Sequence, residues 1–429
     1  LTVIINASLT TGRLPTQFKH ANITPIFKRD DRRQAANYRP ISLLPLVSKL
    51  LEKIVASQLK QYLHDGSLLP AEQFAYRKNH STEDALVYAT NNFLLARDKG
   101  MTTGAVFVDL SKAFDSVKHQ QLITELSDLG ICHTALSWFC DYLSTRTQQV
   151  VIGDESSAKE PCSRGVPQGS VLGPLLFTLY TRRIPALMDV TCQLFADDIL
   201  LYHSSASLHE VVTKLSEAIS SLGSWLTSVG LKMNVQKTKV LFVPTSRAMV
   251  PADAVVLCNG VPLDRVAHYK YLGVVFDERL NWQEHVRAVT RKVSQKIGAL
   301  RRTHHQLTRS KRLYYLSIIQ SDLEYGACAF YSSLGQREKD KLIKLSKRGL
   351  RAITAAPPWH PSQPLFTSLR VTPLERRLQF KLLTFTYRCI GHMTSSLLSN
   401  LYILRSLNNS TACTTRSRSE EHTSELQSR

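Results

Sequence analysis

The stretch Cys192–Tyr202 reads CQLFADDILLY and sets two carboxylates, Asp197 and Asp198, side by side inside an apolar run. The apolar residues on either side read as two short strands joined by a tight turn. Two adjacent carboxylates repel each other, and each costs free energy to desolvate. One account is a polar hairpin turn, since Asp is a common turn residue. The other is a divalent cation that neutralises the pair.

A third carboxylate bears on the choice. GAVFVDL (104–110) is a continuous run rich in apolar and β-branched residues, the pattern of a buried strand, and Asp109 ends it. Alone, Asp109 reads equally as the N-cap of a helix over SKAFDSV. If this strand and the hairpin are neighbours in one antiparallel sheet, three carboxylates meet at its edge. Mg²⁺ takes hard oxygen ligands, typically one or two carboxylates plus substrate phosphates. Two such ions, roughly 3.5–4 Å apart, clamp the attacking and leaving oxygens of an in-line phosphoryl displacement. The metal charge then offsets the repulsion.

The surrounding pattern is mixed. Residues 1–36 begin with an amphipathic helical pattern and pass into a polar, basic loop, ITPIFKRDDRRQAANYRP (23–40). ISLLPLVSKLLEKIVASQLKQYL (41–63) has helical apolar spacing interrupted early by Pro45, and EDALVYATNNFLLARDKG (83–100) is a second helix. Helices are expected over HQQLITELSDLGI and ALSWFCDYLS, and a strand over TQQVVIG. The Gly/Pro-rich CSRGVPQGSVLGPLLFTLY leads into another helix. A long helix follows at SLHEVVTKLSEAISSLGSWLTSVG, with Gly230 at its stop. KTKVLFV and HYKYLGVVFD are strands, and helical patterns dominate from 282 onward.

Lys and Arg number 54 against 34 Asp and Glu, a net charge of +20. That excess favours a polyanionic partner, nucleic acid or an anionic membrane surface. Between Val286 and Ser321 there are nine basic residues and no acidic one. Among them Arg287 and Arg291, and Lys292 and Lys296, fall at i, i+4 spacing. With Arg301 and Arg302 they suit one helix face tracking a phosphate backbone. The eight cysteines include no CxxC pair, which excludes a zinc ribbon and a thioredoxin motif and fits a reducing compartment. The apolar run VLGPLLFTLY is too short to span a bilayer, and no signal peptide is visible. Leu1 opens the chain inside an apolar-periodic segment, as expected of a piece of a longer polypeptide. Residues 406–429 read as a disordered tail, of which 418–429 (RSEEHTSELQSR) reads as artefactual.

The motifs taken together resemble a family. VFVDLSKAFDSVKH (106–119), GVPQGSVLGPLLF (165–177), FADD (195–198), KTKVLF (237–242) and YLGVVFD (271–277) are similar to the ordered palm motifs of a reverse transcriptase. NYRPISLLPLVSKLLEKIV (37–55) and QFAYRKNHST (73–82) are similar to its finger motifs. The spelling is closest to non-LTR, LINE-type retrotransposon polymerases of the Jockey and CR1 kind, over a reverse transcriptase domain of about residues 9–276. The resemblance implies an α+β, right-hand polymerase. Its expected parts are a segment over 1–36, fingers over 37–100, a palm with an antiparallel sheet over 101–280 and a basic helical thumb over 281–405.

It also implies roles. Asp109 and Asp197 match the two metal-binding aspartates, with the Leu110 carbonyl as an extra ligand, and Asp198 completes the catalytic cluster. Phe114 matches the aromatic gate against a 2′-hydroxyl, although plain core packing explains a Phe as well. Gln168 and Gly169 match the loop against the templating pair and incoming nucleotide. Lys237 suits proton donation to pyrophosphate, and Arg77 suits the triphosphate. Tyr271, Leu272 and Gly273 resemble the primer grip. Two Mg²⁺ ions, with Mn²⁺ as a substitute, an RNA template, a DNA primer and deoxynucleotides follow as cofactor and partners, in the nucleus and cytoplasm. Two departures stand out: Ala75 and Asn79 occupy positions where the family has Gly. Ala75 is a problem only if its φ is positive, and Asn tolerates that region better. A catalytically decayed nucleic-acid-binding remnant is the rival reading. A two-metal nuclease would share the acidic residues but not the other spacings.

Overall fold

The structure, a computed structural model, describes residues 1–28, 31–245, 249–303 and 307–402. The tail expected over 406–429 lies outside the described residues, as does the end of the 281–405 segment.

Helix α1 (Thr2–Thr11) stops at Gly12, whose φ of 67° is left-handed. Strand β1 (His20–Phe27) pairs antiparallel with β2 (Tyr38–Leu43), from Asn22 opposite Leu43 to Phe27 opposite Tyr38. The run 23–40 is therefore not one loop but two strands and a short connection. Proline in each strand disguises the pattern, since Pro donates no ladder hydrogen bond. Pro25 faces Pro40, so both missing N–H groups fall on one rung. Pro45 does not interrupt a helix: it is the N-cap of α2 (Leu46–Asp65). Helix α3 (Thr82–Asp98) starts at Ser81, whose side chain accepts from the Asp84 N–H.

Strand β3 (Thr102–Val108) is buried along its whole length. Two-residue β4 (Leu110–Ser111) follows, then helices α4 (His119–Asp128) and α5 (His133–Leu143). No α-helix starts at Asp109; only a 3₁₀ turn forms, over Phe114–Ser116. β5 (Thr147–Ile152) adds parallel to β1, and β6 (Glu155–Ser156) and β7 (Glu160–Pro161) pair with it. Helix α6 is Gly173–Tyr180. The hairpin of β8 (Thr191–Phe195) and β9 (Asp198–Ser205) precedes the long α7 (Leu208–Ser228). Then come β10 (Lys232–Met233), β11 (Lys239–Val243), β12 (Leu257–Cys258), β13 (Val261–Pro262) and β14 (Asp264–Arg265). A second hairpin joins β15 (His268–Tyr271) to β16 (Val274–Asp277).

The central sheet has the order β14-β11-β3-β9-β8. Its middle pair is antiparallel, with Val108 opposite Ile199. Alternate residues of β3 and β9 serve two cores, as the two-residue period of a strand requires. Val106, Val108, Ile199 and Leu201 face one core, shared with α2 and α7. Ala105, Phe107, Leu200 and Tyr202 face the other, built with α3, the β15–β16 hairpin and the C-terminal helices.

Those helices are α8 (Gln283–Arg302), α9 (Thr308–Tyr314), α10 (Ser321–Glu324), α11 (Ala327–Phe330), α12 (Gln336–Thr354), α13 (Gln363–Ser368), α14 (Leu374–Ile390) and α15 (Ser396–Ser399). Asp277 fixes where they begin: its carboxylate accepts from the N–H groups of Arg279, Asn281 and Trp282, the last at 2.8 Å. Among the described residues all seven cysteines are free, and no helix is long and apolar enough to cross a membrane.

Candidate active site

The β8–β9 hairpin turns through two residues, Ala196 and Asp197, because Phe195 pairs with Asp198. Ala196 takes a φ of 57°, the left-handed geometry that such a turn imposes on its first residue. Asp198 begins β9 just beyond the rung Val108–Ile199, and Asp109 lies just past the end of β3 on the same rung line. The three carboxylates therefore collect at one end of two adjacent antiparallel strands, as expected from the sequence.

The carboxylates act on one another. Burial, then Asp197, then Asp109 push the Asp198 carboxyl up from 3.8 to about 6. Asp198 keeps an accessible face, so the cluster opens to solvent while the surrounding protein removes part of its hydration. Among the described residues no three His, Cys, Asp or Glu side chains form a ready-made metal cluster. The expected ligand set contains only two acidic side chains, with a backbone carbonyl and substrate phosphates completing it. Hard oxygen donors in a field that already raises a carboxyl pKa fit a divalent cation.

β4 lies opposite β10, with Leu110 opposite Met233. The Asp109 carbonyl accepts from the Asn234 N–H at 2.8 Å, and the Asp109 N–H donates to Thr238 Oγ1 at 3.3 Å. Exposed Lys237 lies in the turn between Asn234 and Thr238, the two residues whose contacts hold the Asp109 backbone. Phe114 is half-buried, its ring 4.7 Å from that of Phe177. It packs against the core there and remains partly accessible.

Gln168 donates to the Asp115 carboxylate at 2.9 Å, and its own carbonyl accepts from the Ser42 N–H at 2.7 Å. Gly169 has a φ of 124°, and a Cβ there would lie 2.6 Å from the Ser42 carbonyl oxygen, so glycine is required. Buried Glu52 holds the following turn by accepting from Val171 N–H at 2.6 Å and Leu172 N–H at 3.2 Å. Burial is the main cause of its raised pKa.

Residues 70–77 dock on the edge strand β8. The Phe74 N–H donates to the Leu194 carbonyl and the Leu194 N–H to the Glu72 carbonyl, both at 2.9 Å. Arg77 is half-buried and turns Nη1 onto the carbonyls of Pro70 and Gln73, where it secures the loop. Ala75 does not have a positive φ; Asn79 does, at 62°, and so does Tyr76, at 58°.

Tyr271 is buried, whereas Leu272 and Gly273 form the accessible turn. Tyr325 pins that turn by donating to the Leu272 carbonyl at 2.8 Å. On α8 the basic face is less free than its sequence implies. Lys292 and Lys296 both pair with Asp322, which lies one residue past the window that contains no acid, and Arg287 pairs with Glu284. Arg291, Arg301 and Arg302 remain exposed.

Asp115, Glu52, Tyr76 and Tyr325 were not singled out from sequence. Glu52 carried a signal, a charge inside the buried stripe of α2 with Leu51, Val55 and Leu59. The others act through distant partners and carried none.

Residues 26–276 match the family described as reverse transcriptase (RNA-dependent DNA polymerase). The chain belongs to the reverse transcriptase family. It is 32% identical over 397 residues to the probable RNA-directed DNA polymerase from transposon BS of Drosophila melanogaster, covering 88% of this chain and 43% of that protein. It is 28% identical over 362 residues to the corresponding protein of the X-element of the same organism, covering 80% and 39%. It is 26% identical over 392 residues to the polymerase from the D. melanogaster mobile element jockey, covering 88% and 42%. The similarity thus lies with LINE-type elements, and the chain spans about two fifths of the length of these relatives. A telomerase from Candida tropicalis, truncated from its C-terminal domain, is similar with a TM-score of 0.44 and 13% identity over 62% of this chain and 54% of that one, too loosely to carry an argument. Reverse transcriptases generally use divalent metal ions.

Proposed function

We propose that this chain copies RNA into DNA as the polymerase portion of a non-LTR retrotransposon protein. The observation that carries the proposal is the placement of Asp109, Asp197 and Asp198 on adjacent strand ends, with Lys237 in the turn held against the Asp109 backbone. Residues 37–100 would act as fingers, 101–280 as palm and 281–405 as thumb.

Asp109, Asp197 and the Leu110 carbonyl would hold two Mg²⁺ ions. Bound there, the ions supply charge neutralisation at the attacking and leaving oxygens. Asp198 adds negative potential that tightens cation binding. Lys237 would donate a proton to the departing pyrophosphate. Phe114, partly accessible, would exclude a 2′-hydroxyl. Gln168, braced by Asp115, and Gly169 would lie against the nascent base pair. Leu272 and Gly273 would place the primer strand, while Tyr271 supports them from the core. Arg77 would act mainly by shaping the 70–77 loop. Arg291, Arg301 and Arg302 would carry more of the phosphate contact than Lys292 and Lys296, whose charge Asp322 offsets.

The test is primer extension on an RNA template with deoxynucleotides and Mg²⁺. Wild type should extend the primer. Asp197→Asn should lose on the order of 10²- to 10³-fold in rate, the scale for losing one charge-stabilising group. A folded wild-type chain that binds RNA but extends nothing is instead the decayed remnant.

A further inference from the structure

Tyr76 presents an exposed aromatic ring, 42% accessible, beside the acidic turn. Its neighbours do the opposite. Phe74 and Ala75 are both 1% exposed, and Arg77 turns back onto the loop carbonyls. The loop also holds Tyr76 at a φ of 58°, a conformation that an L side chain adopts only under constraint. The constraint is visible: the Gln73–Leu194 bridge clamps the loop to β8, and the Ala75 N–H donates to Gln73 Oε1 at 2.9 Å. The anchors hold a strained backbone whose visible product is one outward ring.

Leu194 lies three residues before Asp197, so the same clamp sets Tyr76 next to the turn. The Asp197 charge adds to burial in raising the Tyr76 pKa, which agrees with that placement. Topology then separates two flanks. In the order β14-β11-β3-β9-β8, Lys237 lies on the β11 side of the carboxylates, in the turn that leads into that strand, and Tyr76 lies beyond β8. Chain elongation joins two substrates of different chemistry. A triphosphate needs a cation, which the Lys237 flank offers. An uncharged ring offers a triphosphate no counter-charge but suits the face of a nucleobase.

We propose that Tyr76 is the platform on which the terminal nucleotide of the primer rests, a positioning residue on the flank opposite Lys237. The proposal rests on the polymerase reading above and deepens it.

The test uses the full chain and an RNA–DNA primer–template with 2-aminopurine at the primer 3′ end. Wild type, Tyr76→Phe, Tyr76→Ala and Tyr76→Gly are compared in binding and in extension. Stacking should quench the probe in wild type and Tyr76→Phe. Tyr76→Ala should lose the quenching and weaken primer–template affinity roughly tenfold, as expected for one lost base–aromatic stack, with KM for deoxynucleotides unchanged. Tyr76→Gly relaxes the left-handed backbone, so it should fold at least as well yet bind as weakly as Tyr76→Ala. Unchanged quenching and affinity in Tyr76→Ala would overturn the proposal. So would a raised deoxynucleotide KM with primer affinity intact, or normal binding by Tyr76→Gly. Binding and quenching decide the role of Tyr76 even if wild type extends nothing, and extension by wild type separately decides the polymerase reading.

Discussion

The two hairpins that approach the active site make the same local turn under different loads. In β8–β9, Ala196 and Asp197 close the turn; in β15–β16, Leu272 and Gly273 do. Each puts a non-glycine residue at positive φ, 57° for Ala196 and 44° for Leu272. Around the first, the unfavourable term is charge: burial, Asp197 and Asp109 all disfavour ionised Asp198. Around the second it is space: a Cβ on Gly273 would lie 2.8 Å from the Tyr325 ring. The first hairpin holds a tension that a bound cation can relieve. The second is fixed by packing from the helical region and has nothing to release.

The largest separation is expected in catalysis. Asp197→Asn, expected to slow extension on the scale given above, should leave the melting temperature unchanged or higher, because it removes repulsion rather than support. A parallel loss of rate and stability would show that the acidic turn is structural.

Next in size is the pH dependence of the second hairpin. The Val275 N–H donates to His285 Nδ1 at 3.3 Å, and His285 is 4% exposed. Burial, aided by Lys270, lowers its pKa from 6.5 to about 4. The folded protein therefore binds this proton more weakly than the unfolded chain does. The contribution is complete above pH 6.5 and is lost as pH falls toward about 4. That gap is worth up to about 3 kcal/mol. Urea unfolding at pH 7 and pH 4.5 should show it, and His285→Gln, which keeps an acceptor without titrating, should flatten the difference.

Gly273→Ala follows. It meets both a φ of 86° and the Tyr325 ring, and should cost on the order of 1–3 kcal/mol in unfolding experiments. Adding Tyr325→Ala should recover the steric part but not the backbone part. Full recovery would mean that the turn itself carries no strain.

Asp198→Asn should act with the opposite sign and a smaller size. The native carboxyl binds its proton more tightly than the unfolded chain does, so stability is given up as pH rises from 3.8 to about 6 and stays lost above. Its accessible face limits the effect to on the order of 1 kcal/mol. Asp198→Asn should therefore melt higher than wild type at pH 7 and equally at pH 3.5. Mg²⁺ should raise the wild-type melting temperature at pH 7, and chelation should reverse that rise. A wild type indifferent to Mg²⁺ would mean that the tension is not held for a cation.

Most of the central sheet was legible because its strands are long apolar runs with clear turns. Asp109, Asp197 and Asp198 were legible because each breaks such a run. β1 and β2 were hidden because proline and a basic run imitate a loop. The α8 face was over-read because charge spacing along a helix says nothing of Asp322, which tertiary packing brings alongside. Tyr76 escaped because its meaning lies in the Leu194 clamp, a contact between segments more than a hundred residues apart in the chain.

Ala196→Gly is the smallest and most discriminating exchange. Glycine removes a left-handed penalty of about 1 kcal/mol but adds comparable freedom to the unfolded chain, so the net change should stay within about 0.5 kcal/mol. Gly273→Ala has no such cancellation, because steric overlap adds to the backbone term. If Ala196→Gly is neutral in both stability and extension, the paired strands alone dictate the turn. If stability is unchanged but extension slows, the Ala196 methyl, 8% exposed, restricts the turn so that Asp197 stays aimed at its ligand. A loss well above 1 kcal/mol would make that methyl a core contact, and the acidic hairpin would then be held by packing, as its counterpart is.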